Sequence, residues 1–390
     1  MSDQNVHRSL LESPVFPMAP IGSIVVQRNE KVGQSDFPAL SVGKKGVTPQ
    51  LAGVAKTRSD GDRKLVRAGD LVINSRSDRR GASGLAREDG SVSPVYSVMT
   101  PRTDLMLAEY GHHLLRTAVF QEEFFRWGTG IVDDLWSTNF TRMSRIRVPL
   151  PPIAVQKEIA RRLDRVEAMV LRLDELADRL RQRARASLVE LGRELVSPGQ
   201  SVRLGLMLAK LSRPTDTDAG VVTAFRDGRV ALRSRKREEG YTMSANEAGY
   251  QGVEPGDFVF HGLDGFAGAV GVSEDAGKVS PVCHVCSATH VTSERFMAWA
   301  VRALSLNGFL EAYSFSVRQR SVDFRSWDTF AGLPMRYLPL TEQHRVATQL
   351  DEVNSGIDDM LSKIASLREL LVERSSAYLL DVVTGRTEVA

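Results

Sequence analysis

Residues 148–164 read VPLPPIAVQKEIARRLD, and residues 337–351 read YLPLTEQHRVATQLD. In both, a proline-bearing, strand-like end runs into a glutamine-led amphipathic helix. Sliding the chain by 187 residues, the interval from Gln156 to Gln343, also brings distant stretches into register. Gly69-Asp70-Leu71-Val72 falls on Gly256-Asp257-Phe258-Val259, and Gly81 and Gly84 fall on Gly268 and Gly271. Val92-Ser93-Pro94-Val95 falls on the identical Val279-Ser280-Pro281-Val282, and Leu163-Asp164 on Leu350-Asp351. A single offset for matches so far apart marks a duplicated domain plus helix, a unit too long for a solenoid element.

Each half opens with short β-type runs broken by turn residues, such as KLVRAGDLVINS in the first and GVEPGDFVFHG in the second. Helical patches follow over 108–127 and 294–314, giving a compact α+β domain of roughly 140 residues per half. Each half then closes with a long helix. Its apolar series runs Ile159, Leu163, Val166, Val170, Leu173, Ala177, Leu180, Ala184 and Leu191 in the first copy. In the second it runs Val346, Leu350, Val353, Ile357, Met360, Ile364, Leu367 and Leu371. Steps of three and four, with one of seven from Ala184 to Leu191, place one apolar stripe on an otherwise charged helix. Prolines fix φ and open each helix; Ser197-Pro198-Gly199 and Val383-Thr384-Gly385 close them. The expected division is a first globular domain at 1–152, a long helix at 153–196, a second domain at 197–339 and a second long helix at 340–385.

A helix of about 40 residues is on the order of 60 Å long, and its stripe needs a partner. The economical partner is the other copy. The expected fold is α+β: two pseudo-symmetric globular domains separated by two long antiparallel helices that form an intramolecular coiled coil. Similar heads on a spacer suit measurement, as in dimeric DNA readers whose half-sites lie about 34–36 Å apart or multiples of that. Diverged heads suit two different half-sites, and adding helical turns to both helices would alter only the gap between them.

The bulk numbers agree with this reading. A net charge of +3, 42% hydrophobic and 25% charged residues describe an ordinary soluble globular chain that tolerates a polyanionic partner. The polar, acidic N-terminus argues against export, and no apolar run is long enough for a membrane span. Two cysteines rule out a disulfide framework, so a reducing, cytoplasmic setting is expected.

VPLPPIAVQKEIARRLD resembles the start of the central conserved helix in specificity subunits of type I restriction–modification systems. YLPLTEQHRVATQLD resembles the second copy of that helix, with Glu342-Gln343 intact. The ending Val383-Thr384-Gly385-Arg386, the Gly-Asp turns and the Val-Ser-Pro-Val segments resemble that family in their places, so the likeness covers essentially the whole chain. Val155 stands where the family often has Glu and Thr341 where Pro is common, which touches local capping of the helix start. The resemblance implies target-recognition domains, a non-catalytic chain and double-stranded DNA as ligand. It also implies two methyltransferase subunits, which hold S-adenosylmethionine and methylate adenine N6, with motor-nuclease subunits joining them. The coiled-coil residues Ile159, Leu163, Val166, Val170, Leu173, Leu180, Val346, Leu350, Val353, Ile357, Ile364 and Leu367 are the implied helix-packing and partner-docking set.

The residues themselves carry no catalytic constellation. There is no Gly-x-x-x-x-Gly-Lys-Ser/Thr loop, no Asn-Pro-Pro-aromatic tetrad and no Gly-rich cofactor loop. Asp133-Asp134 and Asp358-Asp359 are paired carboxylates, and the latter, on the coiled-coil helix, reads as a solvated face. Cys283-His284-Val285-Cys286 lacks the second ligand pair that a structural zinc site needs. The candidate DNA contacts are Asn74, Arg76, Arg79 and Arg80 before Gly81, with His261 (and Asp264) in the equivalent loop of the second half. Two further clusters are Arg233, Arg235, Lys236 and Arg237, and Arg318, Arg320 and Arg325 interleaved with Phe315, Phe324 and Trp327. Arg and Asn suit guanine and adenine edges, and Arg also suits phosphate. The competing reading is a duplicated coiled-coil scaffold in a phage-defence complex, without base readout; it predicts no steep salt dependence of DNA affinity.

Overall fold

Gly69 and Gly256 adopt φ of +94° and +96°, a left-handed conformation that a glycine enters without a Cβ penalty. In each case the following aspartate closes the turn. Asp70 Oδ2 accepts the amide of Arg67 at 2.8 Å, and Asp257 Oδ2 accepts that of Glu254 at 2.8 Å. Both turns lead into a central strand, Leu71–Asn74 and Phe258–His261, that begins at the same offset of the repeat.

The structure is a computed structural model that describes residues 15–33, 35–43, 46–50, 63–76, 81–129, 137–235, 249–314, 323–384 and 386–387. It forms two compact units. One comprises residues 1–174 with 365–390, the other residues 175–364, so each unit holds one head and portions of both long helices.

In the first unit a four-stranded antiparallel sheet runs in the order Val25–Arg28, Tyr96–Pro101, Leu71–Asn74, Ser83–Leu85. In the second unit the order is Leu208–Lys210, Cys283–Ala288, Phe258–His261, Val270–Val272. A two-stranded sheet leads to each long helix: Met18–Pro20 pairs with Arg147–Pro149, and Ser201–Arg203 with Pro334–Arg336. The central strands are buried on both faces. Leu71 and Ile73 meet Met99, Tyr110 and Phe120, whereas Val72 meets Val42, Val66 and Val98. The run Leu71-Val72-Ile73 is therefore continuously apolar instead of alternating.

Each expected helical patch divides in two. Residues 108–127 form Ala108–Leu115 and Ala118–Arg126, with the Thr117 hydroxyl capping the second by accepting the Phe120 amide at 3.2 Å. Residues 294–314 form Glu294–Leu306 and Phe309–Tyr313, broken at Gly308 with φ +84°.

The long helices are Ile153–Val196 and Leu340–Val383, 44 residues each. Their pairing is antiparallel. In the first unit Ile159 and Leu163, near the start of one helix, share a core with Leu379, Val382 and Val383 at the end of the other. In the second unit Leu188, Leu191 and Leu195 share a core with Ala347 and Leu350. The first turn of Ile153–Val196 carries no acidic residue, whereas that of Leu340–Val383 carries Glu342, in line with the departure at Val155.

Most of the expected stripe lies inward. Ile159, Leu163, Leu350 and Ile357 are buried, and Val166, Val170, Leu173, Leu180, Val346 and Ile364 are half-buried. Val353 and Leu367 are not in the seam: they are 40% and 45% exposed, as is Met360 between them. The second helix instead packs through Ala347, Leu350, Asn354, Ile357, Leu361 and Ile364, alternating steps of three and four. Its small and polar members, Ala347 and Asn354, are invisible to a count of large apolar residues. Val353, Met360 and Leu367 form a parallel apolar row on the solvent side.

Candidate nucleic-acid interface

At the C-terminal end of the first unit's central strand, Asn74 is buried and its Oδ1 accepts the Arg76 amide at 3.0 Å. Its own amide donates to Ala82 O at 2.8 Å. The far foot of this loop is Gly81, at φ +78°, whose amide donates to Gln121 Oε1 at 2.8 Å. Asn74 thus holds the Arg76 amide with its carbonyl, and Arg76 is exposed. Arg79 and Arg80 lie outside the described residues. Arg76 bridges to Ser137, and Ser75 O accepts the Thr138 amide at 3.0 Å.

The second unit builds the same edge with different chemistry. His261 ends its central strand, and its Nδ1 accepts the Asp264 amide at 2.9 Å. Burial holds His261 below the usual imidazole range, against the opposing charge of Asp264. Asp264 in turn pairs with Arg226 at 2.8 Å. Gly262 O accepts the Phe324 amide at 2.8 Å, which brings Arg325 beside the His261 strand end. Arg325 pairs with Asp323 at 2.6 Å, and its hydrogen bonds hold that carboxyl at about 2.

The structure therefore gathers His261 and Arg325 at one edge, and Asn74 and Arg76 at the equivalent edge of the other unit. Arg233 and Arg235 belong to a different element, the short 3-10 turn after the hairpin Val222–Ala224/Val230–Leu232. Arg233 Nε donates to Thr223 Oγ1 at 3.2 Å, and Arg235 pairs with buried Asp275 at 2.6 Å. Lys236, Arg237, Arg318 and Arg320 lie outside the described residues, as do Asp133-Asp134. Asp358 and Asp359 are exposed on the second long helix.

Cys283 and Cys286 lie on one strand with their side chains in different cores, one with Val222 and Val285, the other with Phe258 and Phe296. Burial pushes both thiols up to about 12. His284 Nε2 donates to Phe324 O at 2.7 Å, and its ring stacks on Phe330. The CHVC stretch is core.

One polar cluster escaped the sequence reading. His112, His113 and Glu167 bring three metal-type donors within 4.8 Å of one another. Leu85 donates its amide to His112 Nδ1 at 3.1 Å, and His112 Nε2 lies against both Glu167 Oε2 at 3.2 Å and Arg116 Nη1 at 3.1 Å, so each ring nitrogen already has a protein partner. His113 Nε2 meets Asp164 Oδ1 at 2.8 Å, and Arg116 Nη1 donates to Glu167 Oε1 at 2.8 Å. These contacts join the helix Ala108–Leu115 to the first long helix. Only the shared position of Asp164 and Asp351 in the repeat hinted at them.

No family model matches the chain, and no curated protein does. Among solved structures it is similar to a chain from a study of complex assembly and conformational transition of the type I R-M system. That match has 14% identity and a TM-score of 0.57, covering 96% of this chain and 98% of the other. It is also similar to the HsdS subunit from Thermoanaerobacter tengcongensis (16% identity, TM-score 0.46, covering 95% and 97%). A third match is the type I restriction–modification S subunit from M. genitalium (12% identity, TM-score 0.48, covering 93% and 96%). The fold shared with the first of these extends over nearly the whole of both chains. Among the described residues no helix is long and apolar enough to cross a membrane.

Proposed function

We propose that this chain, which has the fold of a type I restriction–modification system chain, is the DNA-specificity subunit of such a system. It reads a bipartite, asymmetric double-stranded target with its two recognition domains. Its helices dock two adenine-N6 methyltransferase subunits, and motor-nuclease subunits complete the restricting complex. The chain is non-catalytic; the methyl donor S-adenosylmethionine belongs to the methyltransferase.

The observation that carries this reading is the duplication of head plus helix. Two sheets of one strand order and two helices of 44 residues recur, the helices and three of the four strands at an offset of 187 residues, through a chain of matching fold. Equivalent edges with unlike side chains, Asn74 and Arg76 against His261 and Arg325, favour two different half-sites. Binding combines a salt-dependent phosphate term with base readout. The exposed row Val353, Met360 and Leu367 supports the docking role, since solvated apolar rows of this kind mark interaction surfaces.

Co-expression with a methyltransferase subunit, followed by single-molecule mapping of methylated adenines, tests the reading. Methylation at one bipartite motif, absent without this chain, is the expected result. A stable complex that methylates without regard to sequence would overturn it in favour of a scaffold.

A further inference from the structure

Gln156 and Gln343 are both fully buried. Gln156 Nε2 donates to Leu105 O at 2.9 Å and Pro151 O at 2.8 Å, while its Oε1 accepts the Leu107 amide at 2.9 Å. Gln343 Nε2 donates to Val291 O at 3.0 Å and Leu338 O at 2.8 Å, while its Oε1 accepts the Thr292 hydroxyl at 2.6 Å. In each unit one carboxamide thus ties three segments together: the first turn of the long helix, the chain entering it, and the loop before the head's main helix. Both of its hydrogens and its oxygen are engaged.

A second tie sits eight residues on, about 12 Å along the helix axis. Asp164 Oδ1 meets His113 Nε2 at 2.8 Å. Asp351 Oδ1 accepts Trp299 Nε1 at 2.6 Å, and its Oδ2 pairs with Arg295. Apolar packing alone holds a head against a helix but leaves its tilt soft, because dispersion is non-directional. Hydrogen bonds are directional, and two of them at separate points along an axis define a tilt.

We propose that Gln156 with Asp164, and Gln343 with Asp351, are positioning residues. In each unit they fix the angle at which the recognition domain is carried on its long helix. Through that angle they fix the number of base pairs accepted between half-sites. This rests on the reading of the chain as a DNA-specificity subunit.

The test uses the full chain co-expressed with its methyltransferase, comparing wild type with Gln343→Met and Asp351→Ala. Asp351 is partly exposed, so its replacement keeps the fold if the glutamine variant does not accumulate. The expected result is unchanged half-sequences, with methylation at motifs whose gap differs by one base pair rising about tenfold relative to the native gap. A uniform drop in methylation alongside thermal stability, with the gap distribution unmoved, shows a packing role only and overturns the proposal. So does a change in either half-sequence. If wild type itself directs no motif-specific methylation, the functional reading fails instead, and the two failures are told apart in one experiment.

Discussion

Trp299 donates its indole Nε1–H to Asp351 Oδ1 at 2.6 Å, within one residue of the register at which the first copy joins His113 Nε2 to Asp164 Oδ1 at 2.8 Å. The same attachment is made by a ring that titrates in one copy and by one that does not in the other.

Acid should therefore destabilise the first unit, because its buried imidazole resists protonation. Burial, followed by the neighbouring His112, holds His113 below its ordinary value of 6.5, with Asp164 and Glu167 opposing. The unfolded chain takes up this proton first as pH falls. The contribution of His113 is thus full above about pH 6.5 and declines below it. Glu167 is held at about 2, chiefly by its hydrogen bond with His112, so its contribution is full above 4.5 and is lost as pH falls from there toward 2. Urea unfolding between pH 7.5 and 5.5 should show His113→Gln reducing the slope of stability against pH by up to about 1.4 kcal/mol per unit. An unchanged slope would mean that His113 is not the group responsible.

Arg28 is placed to neutralise Asp70, which is 1% exposed and also accepts the Thr100 hydroxyl at 2.7 Å. Arg28→Met should cost about 3 kcal/mol, because it strands a buried carboxylate. Asp70→Asn in the same chain should recover part of that loss, since the stranded charge is then absent. Denaturant midpoints of the single and double variants decide the point.

The repeated glycines separate two kinds of cost. A Cβ at Gly69 or Gly256 meets nothing within 4 Å, so each alanine should cost only the left-handed backbone penalty, about 1–2 kcal/mol, and equally in both copies. At Gly84 it would lie 2.8 Å from Gly46 Cα, and at Gly271 2.2 Å from Gly228 O. Those alanines should reach the upper end of the ~1–3 kcal/mol overpacking range or exceed it. Equal losses at all four positions would contradict this division.

On the second long helix, Leu350→Ala and Ile357→Ala should each cost about 2–4 kcal/mol. Val353→Ala and Leu367→Ala should stay within about 0.5 kcal/mol in the isolated chain. A large loss at Val353 would return that residue to the seam.

Among the arginines, Arg76 is exposed whereas Arg235 is tied to buried Asp275. Arg76→Ala should leave stability unchanged and, if this side chain meets phosphate, lower the salt slope of DNA affinity by about 1. Arg235→Ala should destabilise the second unit, because buried Asp275 loses its cationic partner and keeps, among the described residues, only the Leu232 amide. Fluorescence anisotropy over a salt series, beside thermal melts, separates the two.

The sequence by itself determined the duplication, the two long helices with their proline starts, and the α+β character of each half. Helical period and turn chemistry are carried by residues near one another in the chain, and a duplication shows when the chain is compared with itself, before any packing is known. Tertiary structure alone decided which row beside Leu350, Ile357 and Ile364 joined the seam: Ala347, Asn354 and Leu361, in place of the more apolar Val353, Met360 and Leu367. It also decided that Asn74 holds the Arg76 amide with its buried carbonyl, that Arg235 is held by an aspartate, and that the CHVC stretch is core. The attachments of Gln156, Gln343, Asp164 and Asp351 depend on backbone carbonyls and rings some fifty residues away. No period or motif encodes such meetings, because they exist only once the sheets and helices have packed.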